Sequence, residues 1–535
     1  MKNSIYKSVF LVLLFGLSQL ANAQTAVPKS KVVGKSMPNQ ITKNRPLATS
    51  KKVATKSAIA TAVNQIKNGQ NLSAANNLLS LSRRPEYQND KSQIKFLLGL
   101  ALMEMNLNQV AAFQFVDVVK SGDARFLKKA LEKLFIVTDK LGDETMLNYA
   151  IQRIDISSLP ASNQELLYYR LAEIKQKAGL FNEANQLYSK VNKGSRYYLN
   201  SLYNLGLVQA EAGQLDLALS TFSKLRSSRN KSEVTDTNRV ASLMATARTL
   251  YQKKDWEKSI DAYALIPRDH PLWHDAVFEQ SWAMLRAARF RSALSNFQTL
   301  HSSFYDDFYI PESLILRSIV YLYICKYDEM EKVLSLFDKQ YGPVLAQILK
   351  FNNSGATSLD YFREIEKAYV AKTNGEVPSQ AKIPFKATRH IVDEGNIKRS
   401  LSYIRKIQKE KKAIEEDSRI RSLGIGSYSL KLINNRLQSA KIRTGDLVKA
   451  HLLNMTTELK DLKDQGSLVR YEMINGQKET LKKKIAEKDV KESSDSEPKT
   501  RSFYAQNGYE FYPFQGEFWL DEVGNYHYLG KQSCE

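Results

Sequence analysis

A repeat of 34 residues in the middle of the chain constrains the fold more strongly than any other feature of the sequence. Small, glycine and aromatic residues recur at this spacing. One set of pairs is Leu171 and Leu205, Ala172 and Gly206, Gly179 and Gly213, Ala184 and Ala218, Tyr188 and Phe222; another is Ala247 and Ser281, Ser259 and Ala293, Tyr263 and Phe297. The register continues less perfectly outward, through Leu98, Gly99, Ala111, Phe115, Ser318, Tyr321 and Leu334. Such regular spacing predicts one structural unit repeated many times.

The residue types within the repeat indicate what this unit is. Small residues at two positions allow two antiparallel helices to approach closely, and the aromatic residue fills the space beside their contact. A single pair of helices cannot bury its apolar face alone, so about eight pairs stack into a right-handed superhelix with a concave inner wall. The predicted fold class is therefore all-α, with a solenoid over residues 57–345.

This pattern resembles the tetratricopeptide repeat, in which first helices line a groove that binds proteins. The resemblance implies a set of groove residues in this sequence. They are Tyr169, Tyr203, Arg248, Tyr251, Phe278, Trp282, Arg286 and Tyr323. Aromatic and Arg side chains carry most of the binding energy when a partner covers such a groove. The alternative for Phe278 and Trp282 is packing against the next repeat.

The first 23 residues have the features of a secretory signal peptide. Lys2 and Lys7 accompany an almost entirely apolar run from Val9 to Leu17, and small residues end at Ala23. The apolar run is shorter than the ~20 residues that a membrane-spanning helix needs, which favours cleavage over a retained anchor. We therefore expect an exported protein that is periplasmic and either soluble or peripherally associated with the envelope.

Residues 24–56 are predicted to form a disordered basic arm. This segment has eight Lys and Arg residues and no Asp or Glu, and the first acidic residue of the chain is Glu86. The whole chain has a formal net charge of +22, which favours acidic partners such as an anionic envelope surface. The arm is either an electrostatic tether to that surface or a solvated spacer. No nucleic-acid-binding motif is present, so nucleic acid is not expected as a partner.

Residues 346–488 are predicted to form a long helical region with the character of a coiled coil. An apolar seam runs along its second half, through Leu452, Met455, Leu459, Leu462, Val469 and Met473. A weaker seam between residues 390 and 419 predicts the other arm of an antiparallel hairpin, with its bend at Gly424–Ser427. Packing within the chain is favoured over coiling with a second chain, because the seams are short.

Residues 489–502 have the composition of a linker, and residues 503–535 form an aromatic C-terminal segment. The aromatic residues of this segment are too numerous to remain in water, so it is predicted to fold back onto the chain or to dock on a partner. Its predicted docking residues are Tyr512, Phe514, Phe518, Trp519 and Tyr526. Back-folding onto the helical hairpin or the last repeats is the favoured alternative.

No set of catalytic or metal-binding residues stands out in the sequence. His270 and His274 have the spacing of a helical metal site, but Pro271 between them predicts a turn. The two cysteines, Cys325 and Cys534, either pair with each other or are a buried apolar residue and an unrelated thiol. We expect no enzymatic activity, no cofactor, no metal and no small-molecule substrate.

The order of regions resembles a group of tetratricopeptide envelope proteins associated with bacterial adventurous gliding motility machinery. The resemblance lies in residues 443–447, 470–472 and 475–476, and above all in the tail segment 512–524. It implies a non-catalytic periplasmic scaffold that binds proteins of an envelope-spanning complex. The alternative function is an accessory or anchoring subunit of an envelope enzyme such as a peptidoglycan hydrolase.

Overall fold

The computed structural model describes residues 49–143, 145–151, 161–227, 236–305, 308–378 and 380–487, and near the C-terminus residues 520, 523, 524 and 526. The predicted signal peptide and linker lie outside these residues, as do most of the predicted basic arm and aromatic segment. Within the described part of the chain every regular element is a helix, which confirms the predicted all-α fold class. None of these helices is both long and apolar enough to cross a membrane.

Sixteen α-helices occupy the described residues up to position 352, and each of them from the second onward packs against the next. Their bounds are α1 (Thr49–Lys67), α2 (Asn71–Ser82), α3 (Lys91–Glu104), α4 (Asn108–Ser121), α5 (Ala124–Leu141), α6 (Thr145–Ile151), α7 (Ala161–Lys177), α8 (Phe181–Ser189), α9 (Tyr198–Glu211), α10 (Leu215–Arg226), α11 (Asp236–Gln252), α12 (Trp256–Ala264), α13 (Trp273–Arg286), α14 (Phe290–Leu300), α15 (Pro311–Tyr323) and α16 (Tyr327–Asn352). Helix α1 thus begins eight residues before the predicted boundary of the solenoid.

A small residue on the first helix of a repeat and a large residue on the second form the centre of the core. Phe115 of α4 is fully buried against Gly99 of α3, and a Cβ atom at that glycine would lie 2.6 Å from the ring. The glycine therefore permits a close contact between the two helices. The equivalent positions are also buried, as the spacing predicts: Ala172 and Tyr188, Ala247 and Tyr263, Ser281 and Phe297.

The turn between the two helices of a repeat contains one residue with a positive φ angle. Gly179 (φ 74°) and Gly213 (φ 77°) occupy this position in two repeats. Lys254 (φ 65°), Ala288 (φ 56°) and Cys325 (φ 54°) occupy it in the next three. The left-handed region costs a residue with a side chain about 1–2 kcal/mol, so the turns that contain glycine are the less strained ones.

Five helices follow the solenoid. They are α17 (Ser358–Asn374), α18 (Phe385–Asp393), α19 (Gly395–Glu416), α20 (Ser418–Arg421) and α21 (Gly424–Glu487). Helix α21 has 64 residues and is about 96 Å long. Its predicted seam is buried from Leu452 to Val469, and the helix packs against α15, α16 and α17. The seam therefore packs within the chain, as predicted.

Helices α19 and α21 pack against each other as the two arms of the predicted hairpin, but the bend is at a different place. The chain turns within residues 417–423, whereas Gly424 already belongs to α21. The Asp417 side chain accepts a hydrogen bond from the Arg419 amide and thereby starts the short helix α20. This local cap lies at the turn, whereas the predicted bend at Gly424–Ser427 lies within α21.

Helix α21 contacts both the first and the last helices of the solenoid. Near its start, the Ile425 amide donates a hydrogen bond to the Asn76 side chain of α2 at 3.3 Å. Near its end, Arg470 pairs with Glu331 and Asp338 of α16 at 3.1 and 2.9 Å. One helix therefore connects repeats that are far apart in the sequence.

A buried polar network fixes α19 and α21 against the first repeats. The Glu410 carboxylate accepts hydrogen bonds from the backbone amides of Gln109 and Val110, at 2.9–3.3 Å. These amides begin α4, so a carboxylate from α19 caps the positive end of that helix. The Tyr403 hydroxyl donates to the Gln109 side chain at 2.7 Å and accepts from Arg436 of α21 at 2.6 Å. The sequence gives no sign of this network.

Candidate functional site

The eight residues predicted to line the inner wall lie on the first helices of successive repeats. Tyr169 is on α7 and is buried. Arg248 on α11 is exposed, and the remaining six are half-buried. We call the seven accessible residues the inner-wall set: Tyr203 on α9, Arg248 and Tyr251 on α11, Phe278, Trp282 and Arg286 on α13, and Tyr323 on α15.

Contacts between α11 and α13 join the centre of the inner-wall set into one surface. The Arg248 guanidinium forms a two-pronged ion pair with the Glu279 carboxylate, at 2.7 and 2.5 Å. The Arg286 guanidinium donates a hydrogen bond to the Tyr251 hydroxyl at 3.4 Å. Residues from two successive repeats therefore form a continuous surface of aromatic and charged groups.

Aromatic residues on the neighbouring second helices hold rings of the inner-wall set in place. The Tyr251 ring meets the edge of the Trp256 ring of α12, with centroids 5.0 Å apart. The Tyr323 ring stacks on the Phe290 ring of α14 at 5.5 Å, with 15° between the ring planes. A ring that is already positioned loses little conformational entropy when a partner covers its remaining surface.

Tyr169 differs from the rest of the predicted groove residues, because its ring belongs to the core. It stacks on Tyr197, the residue just before α9, at 5.6 Å and lies 6.0 Å from the Tyr188 ring. Only 8% of the residue is exposed. The next repeat covers Tyr169, so this side chain offers almost no surface to a partner.

Two carboxylates that the sequence did not single out lie on the first helices, and one of them, Glu279, contacts the inner-wall set through Arg248. Glu279 lies 31 residues after its partner Arg248, close to the repeat length of 34 residues. This spacing is the sequence signal that could have suggested a contact between the two residues. Glu312 lies at the start of α15. Partial burial, together with the Glu458 carboxylate of α21, raises the pKa of Glu312 to about 7. The first helices therefore present acidic groups as well as Arg and aromatic side chains.

The two histidines with metal-site spacing do not converge on a common point. The His270 ring accepts a hydrogen bond through Nδ1 from the Leu272 amide at 3.1 Å, in the turn before α13. His274 is buried against Tyr305 and Phe308. Among the described residues, no group of three His, Cys, Asp or Glu side chains is arranged to hold a metal ion.

The described part of the aromatic segment lies against α13 and α14. Val523 is buried, and the Gly524 amide donates a hydrogen bond to the Thr299 hydroxyl of α14 at 2.9 Å. Gly524 also lies close to the Trp273 ring of α13. Tyr526 is half-buried. These residues fold back onto the chain, and their contacts are with the repeat before α15 and α16.

The other predicted docking residues, Tyr512, Phe514, Phe518 and Trp519, lie outside the described residues. Cys325, at the turn between α15 and α16, is disulfide-bonded. Cys534, whose pairing with Cys325 is one of the two alternatives from the sequence, lies outside the described residues as well.

Comparison with known proteins connects one helical pair of this surface to a family. A sequence model described as tetratricopeptide repeat matches residues 200–229, which include most of α9 and all of α10. No curated protein matches the chain significantly.

Similar solved structures include a Rap protein complexed with competence and sporulation factor, at 12% identity, with 66% of this chain and 99% of that chain covered and a TM-score of 0.29. Another is the TPR domain of P58(IPK), at 12% identity, with 71% of this chain and 98% of that chain covered and a TM-score of 0.17. These TM-scores are too low to inform function, so the connection to a known family is the match of α9 and α10 to the tetratricopeptide repeat.

Proposed function

We propose that this protein is a non-catalytic scaffold that binds other proteins along the inner-wall set. The observation that supports this function most directly is the continuous surface across α11 and α13, where Tyr251, Trp282, Arg248 and Arg286 are accessible together. The adjoining pair α9 and α10 matches the tetratricopeptide repeat model. The resemblance of this sequence to that repeat implies protein binding.

The chemistry of this surface suits a protein segment better than a small molecule. Tyr, Trp and Arg are the residue types that contribute most to binding between proteins. The inner-wall set is spread over α9, α11, α13 and α15, a length that matches an extended chain or a helix of a partner. Arg248 and Glu279 provide polar groups of both signs, which select the register of that partner.

We further propose that the scaffold acts in the periplasm, as part of a complex in the cell envelope. The signal-like sequence of the first 23 residues supports this location. Most specifically, we propose that this complex is a gliding motility machinery. The support for this step is the resemblance of the tail segment 512–524 to the envelope proteins associated with such machinery.

Site-specific photocrosslinking of the full chain in its native cells tests the proposed surface. A photoreactive phenylalanine analogue replaces Trp282 or Phe278 on the first helix of a repeat. The matched control carries the analogue at Leu217, which is 46% exposed on the second helix α10. We expect discrete crosslinked proteins from Trp282 and Phe278 and none of these products from Leu217.

Equal products from Leu217, or no product from either inner-wall position, would contradict the proposed surface. The identity of the crosslinked protein separates the two functions considered from sequence. Structural subunits of an envelope complex support a scaffold, whereas a peptidoglycan hydrolase supports the accessory role.

A further inference from the structure

The outward face of α19 carries a row of positive charges. From Gly395 to Lys409 the sequence has five Lys and Arg residues and no acid. Lys398, Arg405, Lys409 and Lys412 are separated by seven, four and three residues, and these spacings place them on one side of the helix. All four are exposed. We call these four residues the basic row.

The fold removes from the surface the one acid that the sequence places among these cations. Glu410 lies directly between Lys409 and Lys411, so the sequence alone suggests a mixed, partly neutralised segment. In the structure Glu410 is only 7% exposed, and its carboxylate caps α4. The positive charges of the basic row therefore face solvent on α19 without this neighbouring carboxylate.

Neighbouring helices do not neutralise the basic row. The Arg405 guanidinium lies over the Tyr369 ring of α17, 4.2 Å from its centroid. Lys406, beside the row, donates a hydrogen bond to the Lys140 carbonyl oxygen at the end of α5, at 2.7 Å. Both contacts position side chains, but neither brings a negatively charged side chain to this surface.

Ion pairs with carboxylates are nearly absent from the basic row, as far as the described residues show. Lys412 forms a pair with Glu416 at 3.5 Å, and 73% and 67% of the two side chains are exposed. Such an exposed pair contributes little. Lys398, Arg405 and Lys409 form no ion pair with any described carboxylate.

We propose that the basic row binds the surface of an anionic phospholipid membrane. The four side chains extend over about 21 Å along one helix, so their ends are able to meet a flat surface together. Each cation near such a surface strengthens binding about fivefold. No large apolar side chain of α19 is exposed, which favours contact with head groups over insertion. This site is separate from the inner-wall set and adds membrane attachment to protein binding.

Co-sedimentation with vesicles tests this site in the full chain. The vesicles contain phosphatidylcholine with or without phosphatidylglycerol. One variant carries Lys398→Gln, Arg405→Gln, Lys409→Gln and Lys412→Gln. The control variant loses the same charge at exposed lysines on other elements: Lys177→Gln, Lys193→Gln, Lys224→Gln and Lys350→Gln.

We expect the wild type to bind only the vesicles that contain phosphatidylglycerol. The basic-row variant should bind these vesicles at least tenfold more weakly than the control variant. Replacing Lys398, Lys409 and Lys412 with Arg should preserve binding, because the charge remains. Equal weakening in the two glutamine variants would overturn the proposal and assign binding to net charge or to the basic arm. No vesicle binding by the wild type would also overturn it, and capture of an acidic protein by the row would then indicate a protein partner.

Discussion

His274 shows how one buried polar side chain can oppose the stability of the fold around it. The residue is 3% exposed on α13, and its ring lies 4.1 Å from the Phe308 ring and 4.8 Å from the Tyr305 ring. Neither ring nitrogen has a hydrogen-bond partner among the described residues. Burial lowers the pKa of His274 to about 3, so the ring is neutral at neutral pH. Unsatisfied polar groups of this kind cost about 1–3 kcal/mol.

Replacing this residue, His274→Phe, should raise the free energy of unfolding by about 1 kcal/mol at neutral pH, because the ring contacts remain and the unsatisfied nitrogens are removed. The lowered pKa means that protons bind the unfolded state more tightly. The wild type therefore loses stability as the pH falls through about 6.5. At a pH of about 5, the difference in free energy of unfolding between the variant and the wild type should therefore be about 2 kcal/mol larger than at neutral pH. Urea titrations at the two pH values measure both effects, and a pH-independent advantage would contradict the account.

Helices α17 and α21 make a close contact through their backbones. A Cβ atom at Gly445 of α21 would overlap the carbonyl oxygen of Ser358, the first residue of α17. The Ser358 hydroxyl also donates a hydrogen bond to Asp446 of α21. Thr357 and Asp360 form a capping box that fixes the start of α17. The contacting atom belongs to a fixed backbone, so it cannot move aside as a flexible side chain would.

The substitution Gly445→Ala should lower the free energy of unfolding by about 1–3 kcal/mol, because α17 and α21 must separate to admit the new methyl group. Gly395→Ala at the start of α19 is the matched control, since that glycine is exposed and has open space around its Cβ position. The free energy of unfolding of the control should rise by up to about 1 kcal/mol, because Ala has a higher helix propensity than Gly. Denaturant unfolding of both variants should therefore give changes of opposite sign. A gain in stability for both would show that the helix contact is looser than described.

From α2 onward, the described part of the chain is held together by contacts between segments that are distant in sequence. Helix α21 joins α2 and α4 to α15 and α16, and α19 caps α4 through Glu410. The aromatic segment adds a third connection, because Val523 is buried and Gly524 is bonded to Thr299. These connections link repeats that would otherwise contact only their neighbours. We therefore expect unfolding to be more cooperative than in an open solenoid.

The variant Val523→Asp should release the aromatic segment, because a charge at a position that is 4% exposed must be desolvated. The melting temperature should fall by about 2 °C or more, and binding of a hydrophobic dye should rise. Leu520→Asp is the matched control, since Leu520 is 72% exposed, and it should change neither quantity. Deleting residues 503–535 should reproduce the effect of Val523→Asp. An unchanged melting temperature for Val523→Asp would instead favour a segment that docks on a partner.

The sequence by itself determined the repeating helical pairs and their core. Core residues such as Ala172 and Tyr188 lie only 16 residues apart, and a contact over so short a separation leaves a regular spacing that can be recognised. The same register predicted which helices carry the inner-wall set. The apolar seam of α21 was also visible, because a helix that buries one face repeats its apolar residues every three or four positions.

The tertiary structure alone decided which surfaces these elements cover and which they leave free. Glu410 caps α4 across 301 positions of sequence, and no periodic pattern marks a contact between one carboxylate and two amides so far apart. The burial of Tyr169 depended on Tyr197 from the following repeat, and the position of Gly524 depended on its contacts with Thr299 of α14 and Trp273 of α13. Helix propensity and apolar periodicity are local properties of the chain. The choice of a distant partner is determined by shape and by the pairing of single polar groups, which appear only when the helices are packed.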